Sequence, residues 1–335
     1  MTTSKLLITG ATGFIGFRTL IEALDAGYII RVAVRSELGS KALLSNAKIF
    51  EFASKGKLSF IEVPDILHKD AYVMALKDVT YAIHIASPIP LPFRDPQTDI
   101  IDPTVQGSAN ILEAALKTPS LRRIVLTSSI VANMPFPHVT EDPPFITANS
   151  RVPDIEGQTK DVFSAYCAAK IATLNATDAF VEEHKPHFDV VKVFPGFVYG
   201  RDQRATDINS LMSGSNRLVL AILLGQTFDQ PRLAGAAHVD DVAKVHVLAL
   251  DKKLAGTHDL GVTAPMVYED AFEIVKKHFP KEVEKGVFKQ GGQPSLQINW
   301  NAEKTEELFE LKFKTYEDMV LDITRQYLEF SGNAV

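Results

Sequence analysis

A doubly wound parallel α/β sheet with a smaller C-terminal lobe is the fold class this sequence predicts, on two observations. Short β-branched runs alternate with longer stretches of helical spacing through the first half of the chain, the signature of parallel strands joined by crossover helices. The first of those runs feeds a glycine-rich turn, Thr9-Gly10-Ala11-Thr12-Gly13-Phe14-Ile15-Gly16, that opens the first helical stretch.

Residues 6–9 read as the first strand. Phe17, Leu20, Ile21 and Leu24 then recur at helical spacing and form one apolar stripe, which Gly27 ends. Residues 29–34, 58–63, 81–85, 123–127 and 190–194 read as strands two to six, with apolar runs suited to strands covered on both faces. Between them, residues 106–116 and 165–181 have helical composition. Residues 134–153, rich in proline and polar groups, read as a long loop of the kind that often carries function. Beyond Phe194 the pattern is less regular, with a strand and helix expected at 237–250 and a last helix at 316–330. The expected division is a nucleotide-binding domain at 1–195, to which 237–262 return, and a smaller substrate lobe at 196–236 and 263–335.

The chain has 335 residues, 46% of them hydrophobic, enough to bury a large core. Its 41 acidic and 35 basic residues are scattered, with no basic block to track a phosphate backbone, so nucleic acid is not an expected partner. The uncharged stretches 79–93 and 124–140 are broken by prolines, serines and threonines, and neither reads as a membrane span. A lone cysteine, Cys167, has no disulfide partner and reads as a packed residue, and the first five residues lack a secretory pattern, so the cytoplasm is the expected compartment. The nine histidines show no ligand spacing with carboxylates or cysteines, and no metal is expected.

A glycine turn between a strand and a helix is the context a dinucleotide requires, which makes the sheet Rossmann-type. Gly10 permits the tight turn, Gly13 lets backbone amides approach a pyrophosphate, and Gly16 allows close packing of helix on strand. Thr12, Phe14 and Ile15 complete the expected cofactor contacts of this turn. About 20 residues on, where an NAD-binding chain presents an acidic group to the ribose, the second strand ends instead in Val34-Arg35-Ser36. A guanidinium there suits a 2′-phosphate and favours NADPH. Lys41 is a second candidate contact, set against a plain solvent-facing lysine on the next helix.

Tyr166 and Lys170 lie four residues apart in a helical stretch and project from one face. A nearby ammonium favours the phenolate, so the pair is expected to lower the phenol's pKa and ease proton transfer. The fifth strand ends Leu126-Thr127-Ser128-Ser129, at the sheet edge where ligands of such folds bind. Ser129 is placed to donate a hydrogen bond to a carbonyl oxygen while Tyr166 gives up its proton.

These residues resemble an extended short-chain dehydrogenase/reductase, and more narrowly the fungal NADPH-dependent aldehyde and ketone reductases related to plant dihydroflavonol reductases. The resemblance spans nearly the whole chain. It is carried by TGATGFIG at 9–16, AVRS at 33–36, VPDI at 63–66, HIASP at 84–88, LTSS at 126–129, Tyr166 with Lys170, PGFVYG at 195–200 and HVDDVA at 238–243. By that resemblance Asp65 and Ile66 sit at the adenine, Ala86 and Ser87 along the cofactor, Lys170 on the nicotinamide ribose, and Pro195 with Val198 beside the nicotinamide. It implies reduction of a small-molecule ketone or aldehyde with NADPH, by a monomer or homodimer. Two positions depart from the wider pattern: Pro103-Thr104-Val105-Gln106-Gly107 stands where many relatives have an asparagine, and Phe194 stands where many have asparagine before the proline. A nucleotide-sugar epimerase or dehydratase with tightly held NAD, and a non-catalytic NADP-sensing regulator, are the alternatives.

Overall fold

The computed structural model describes residues 4–332 apart from Pro90, Pro92, Val139, Thr140, Gln158 and Lys160. The chain divides into two compact units, one of residues 1–138, 148–194 and 243–260, the other of 139–147, 195–242 and 261–335. The segment 139–147, Pro195 and, of the expected return 237–262, residues 237–242 and 261–262 fall in the second unit.

A seven-stranded sheet organises the first unit. It comprises β1 (Lys5–Thr9), β2 (Ile29–Val34), β3 (Leu58–Glu62), β4 (Tyr81–His84), β5 (Arg123–Thr127), β7 (Asp189–Pro195) and β10 (His258–Val262), in the order β10-β7-β5-β4-β1-β2-β3. From β7 to β3 each neighbouring pair is parallel. Leu6, Leu7 and Ile8 of β1 are fully buried, as expected of a central strand covered by helices on both faces. The strand order reverses between β1 and β4, and such a switch point opens a crevice at the carboxyl ends of the strands.

The helix Phe14–Asp25 follows β1 and buries Phe17, Leu20, Ile21 and Leu24, the stripe read from sequence. Asp102–Leu116 begins four residues before its predicted start and is preceded by a π-helical turn, Pro96–Ile101. Asp95 initiates that turn by accepting the Gln97 and Thr98 amides at 3.0 and 2.8 Å. The longest helix, Val162–His184, also starts earlier than its composition suggests. Asp161 caps it by accepting the Phe163 and Ser164 amides, both at 2.9 Å, and this cap outweighs the modest helix propensity of Val162 and Phe163.

In the second unit, β8 (Phe197–Tyr199), β9 (Arg232–His238), β11 (Ala264–Pro265) and β12 (Ser295–Gln297) form a small sheet. The strands β6 (Ile146–Thr147) and β13 (Trp300–Asn301) pair in parallel, so the expected long loop carries a short strand. The final helix, Tyr316–Phe330, has the predicted bounds and contributes Met319, Val320 and Ile323 to a core with Leu220, Tyr268 and Phe288.

Candidate active site

The turn after β1 lies at the switch point. Gly10 has φ +74°, and a Cβ there would stand 2.7 Å from the Ala86 amide nitrogen, so glycine alone permits this approach of two strand ends. A Cβ on Gly16 would lie 2.1 Å from the Gly10 carbonyl oxygen. Thr9 Oγ1 ties the same ends together: it accepts the Ile85 and Ala86 amides at 3.2 Å and bonds His84 Nδ1 at 2.9 Å. Gly13 begins the helix Phe14–Asp25 with no side-chain cap and no acidic residue in the first turn. The partial positive charge of that helix end suits an anion, and the backbone cradle fits a dinucleotide pyrophosphate.

Around the cradle, Thr12 is exposed at the turn, while Phe14 and Ile15 are half-buried. Arg35 is exposed directly after β2. Lys41 is solvent-exposed and pairs with Glu37, one turn away, at 3.0 Å. Asp65 Oδ1 accepts the Leu67 amide at 2.8 Å, and Ile66 packs over Gly107, where a Cβ would come within 3.0 Å of its Cδ1. The segment is held by Asn110, whose Nδ2 donates to the carbonyls of Ile66 and His68 at 2.8 and 3.2 Å. Sequence reading missed Asn110, a buried polar residue on the sheet-facing side of its helix. Pro195 ends β7 and Val198 lies in β8, both in the second unit, and Phe194 is fully buried in β7.

Ser129, Tyr166 and Lys170 come together in the first unit. Ser129 is 8% exposed and opens a 3-10 turn, Ile130–Asn133, at the end of β5. Its hydroxyl lies close enough to the Tyr166 phenol to lower that group's pKa. Lys170, one turn further along the helix and 5% exposed, places Nζ 5.7 Å from the centroid of the Tyr166 ring. That ammonium donates two long bonds, to Ser87 Oγ at 3.3 Å and the Thr127 carbonyl at 3.4 Å. Lys170, Ser87, Ala86, His84 and Thr127 line a cavity of about 20 Å³ between the helix and the sheet.

The electrostatics correct one expectation. Burial pushes the Tyr166 phenol up to about 12, with the Ser129 hydroxyl pulling it down and Cys167 adding a smaller upward push. Burial pulls Lys170 down to about 8. Desolvation thus outweighs the attraction that spacing alone suggested, because both groups leave water together. His84 is driven down to about 3, first by burial and then by the Lys170 charge, and stays neutral. Cys167 is fully buried, its thiol pushed up to about 12, with Sγ 3.9 Å from His138 Nε2. It is a packed residue.

Phe136 and Phe163 flank His138, with ring centroids at 5.5 and 6.2 Å. Phe93, Phe145 and Phe197 are exposed by 81%, 65% and 41%. His238, Asp240 and Asp322 gather ligand atoms within 4.8 Å of one another in the second unit. Both ring nitrogens are engaged, Nδ1 by the Asp240 amide and Nε2 by Asp322, and Lys314 Nζ supplies a positive charge 2.7 Å from Asp240. A larger cavity, about 570 Å³, opens at the opposite edge of the sheet among Arg122, Arg123, His187 and Lys252. Its polar side chains serve helix ends: Arg123 donates to the Ala249 and Asp251 carbonyls, and His187 Nε2 bonds the Thr118 carbonyl at 3.0 Å. No helix among the described residues is long and apolar enough to cross a membrane.

Known proteins place this geometry. The chain is 36% identical over 345 residues to Ketoreductase CTB6 of Cercospora beticola, covering 98% of this chain and 96% of the relative. It is 37% identical over 330 residues to the NAD-dependent epimerase/dehydratase ALT6 of Alternaria alternata, covering 92% and 93%. Among solved structures, yeast methylglyoxal/isovaleraldehyde reductase Gre2 complexed with NADPH superposes with a TM-score of 0.84 at 26% identity, covering 98% and 99% of the two chains. Residues 6–262 match the model of the NAD dependent epimerase/dehydratase family. With the switch-point glycine cradle and the buried serine and lysine beside the half-buried tyrosine, the match identifies the chain as a member of that family, the extended short-chain dehydrogenases/reductases.

Proposed function

We propose that the protein reduces a ketone or aldehyde to the alcohol with NADPH, Tyr166 acting as the proton donor. The observation that carries this reading is the convergence of Ser129 and the Lys170 ammonium on the Tyr166 phenol, with Nζ 5.7 Å from the ring centroid and no carboxylate among the bonds described for it. A nicotinamide held there would supply the hydride for the carbonyl carbon. Ser129 donates a hydrogen bond to the carbonyl oxygen, where negative charge grows, and Tyr166 delivers its phenolic proton to that oxygen. A phenol pushed up to about 12 remains protonated at neutral pH, ready for this direction. It is still a far stronger acid than an alkoxide's conjugate alcohol, taken as close to water at ~15.7, so the transfer runs downhill. Lys170 steadies the phenolate that remains.

The cofactor preference rests on Arg35, exposed directly after β2, where a guanidinium suits a 2′-phosphate. The NADPH-bound yeast reductase supports the same reading. Asp65, Ile66, Ala86, Ser87, Pro195 and Val198 are the further proposed cofactor contacts.

The test is NADPH absorbance with ketones, diketones, aldehydes and a nucleotide sugar, for the native enzyme and Tyr166→Phe. Carbonyl-dependent oxidation is expected, and Tyr166→Phe should keep NADPH affinity while kcat falls about 10²- to 10⁴-fold. Conversion of the nucleotide sugar without NADPH consumption would replace this reading with an epimerase or dehydratase. Near-normal turnover in Tyr166→Phe would remove the phenol from the chemistry.

A further inference from the structure

Arg151 was not singled out by any motif, yet it is the hub of a polar network that joins two parts of the site. The 3-10 turn opened by Ser129 ends in Asn133, a buried residue. Asn133 Nδ2 donates to the Ala148 and Ser150 carbonyls at 3.0 and 2.8 Å. Arg151 NH1 donates to the same two carbonyls, both at 3.0 Å. The other edges of its guanidinium face carboxylates: Nε donates to Asp178 at 2.5 Å, and NH2 donates to Asp259. Asp178 lies on the helix that carries Tyr166 and Lys170, and its second oxygen accepts from Lys192, a 4% exposed lysine on β7. Lys192 also meets Asp259 of β10 at 3.1 Å.

Two cations and two carboxylates thus alternate in a closed square, without net charge. A guanidinium can do this because its planar fork offers five donors in fixed directions, whereas an ammonium cannot address two carbonyls and two carboxylates at once. We propose that Arg151 is a positioning residue: it locks the Ser129 turn, through the Ala148–Ser150 backbone, to the helix bearing Tyr166, and so sets the serine-to-phenol alignment. The inference rests on the carbonyl-reductase reading above. Its size follows from geometry, since a misplacement of about 1 Å at reacting groups costs on the order of 10²-fold in rate.

The experiment is a double-mutant cycle of Arg151→Gln with Ser129→Ala, reading kcat, KM and NADPH affinity by bound-cofactor fluorescence, alongside thermal unfolding. Arg151→Gln should lower kcat about 10- to 100-fold, with KM and NADPH affinity within about threefold of native. In the Ser129→Ala background the same change should cost less than about threefold, because the alignment it maintains no longer has a serine to align. Additive losses, or equal losses in kcat and cofactor affinity, would overturn the proposal and leave Arg151 a structural residue. If Arg151→Gln shows no cooperative unfolding transition, Asp178→Asn takes its place in the same cycle with the same expected outcomes. A native enzyme that oxidises NADPH while both variants match it overturns this inference alone. A native enzyme inactive on every carbonyl overturns both.

Discussion

The helix Val162–His184 holds two lysine environments along its length, and they are opposites. Near its start lies Lys170, 5% exposed, with long bonds to one hydroxyl and one carbonyl. Near its end Asp178 meets Lys192, equally buried but held between two carboxylates that a guanidinium also serves. A buried cation costs several kcal/mol unless it is paired. Among the described residues one has carboxylate partners and the other has none, and the latter is beside the phenol. Withheld compensation, rather than burial itself, marks the reacting end of this helix.

Removing each charge should break the two ends differently. Lys170→Met should lower kcat by about 10³-fold while raising stability at pH 7, because it deletes a cation that folding disfavours. The sign follows from linkage. The folded pKa of about 8 lies below the ordinary value for lysine, so the unfolded chain holds more protons between those limits and native stability rises with pH through that window. The gain at neutral pH is bounded by the shift, up to about 3 kcal/mol, and urea titrations at pH 7 and pH 10 would measure it. A destabilised Lys170→Met would show that the ammonium is compensated after all. In the active native enzyme, kcat/KM should fall as pH rises through about 8, where Lys170 loses its charge.

Lys192→Met should do the reverse, destabilising by about 3 kcal/mol because two carboxylates then share one guanidinium. Equal stability of native and variant in urea would mean that the square contributes nothing. Burial raises the Asp178 carboxyl, but its bonds with Arg151 and Lys192 outweigh that and hold it below the usual range. Its contribution to stability is therefore present above the unfolded value and lost as pH falls through the folded one. The smallest effect is expected away from this helix: Arg35→Asp should shift the NADPH-to-NADH efficiency ratio roughly 10- to 100-fold toward NADH. An unchanged ratio would show that Arg35 does not read the 2′-phosphate.

Much of the fold was legible because it is written in local patterns. β2 and β5 have their predicted bounds, and the Phe17-Leu20-Ile21-Leu24 stripe is buried, since periodicity over a few residues reports which face meets a core. Element starts were less legible where a cap outweighs composition, as Asp95 and Asp161 do. Tyr166 with Lys170 was readable as a pair because four residues make one helical turn. One signal for the square was present and went unused: Lys192 interrupts the apolar run Val190-Val191-Lys192-Val193-Phe194 of a strand covered on both faces, and a charge there requires a partner.

By itself, the order of residues determined the strand and helix types, the glycine turn and the identity of the groups beside it, because these depend on neighbours a few positions apart. Only the tertiary structure decided which charges are compensated. Arg151, Asp178, Lys192 and Asp259 lie far apart along the chain, and the pKa of Tyr166 turns on how completely folding removes water from around it. Desolvation and long-range pairing are properties of the packed chain, and no local spacing encodes them.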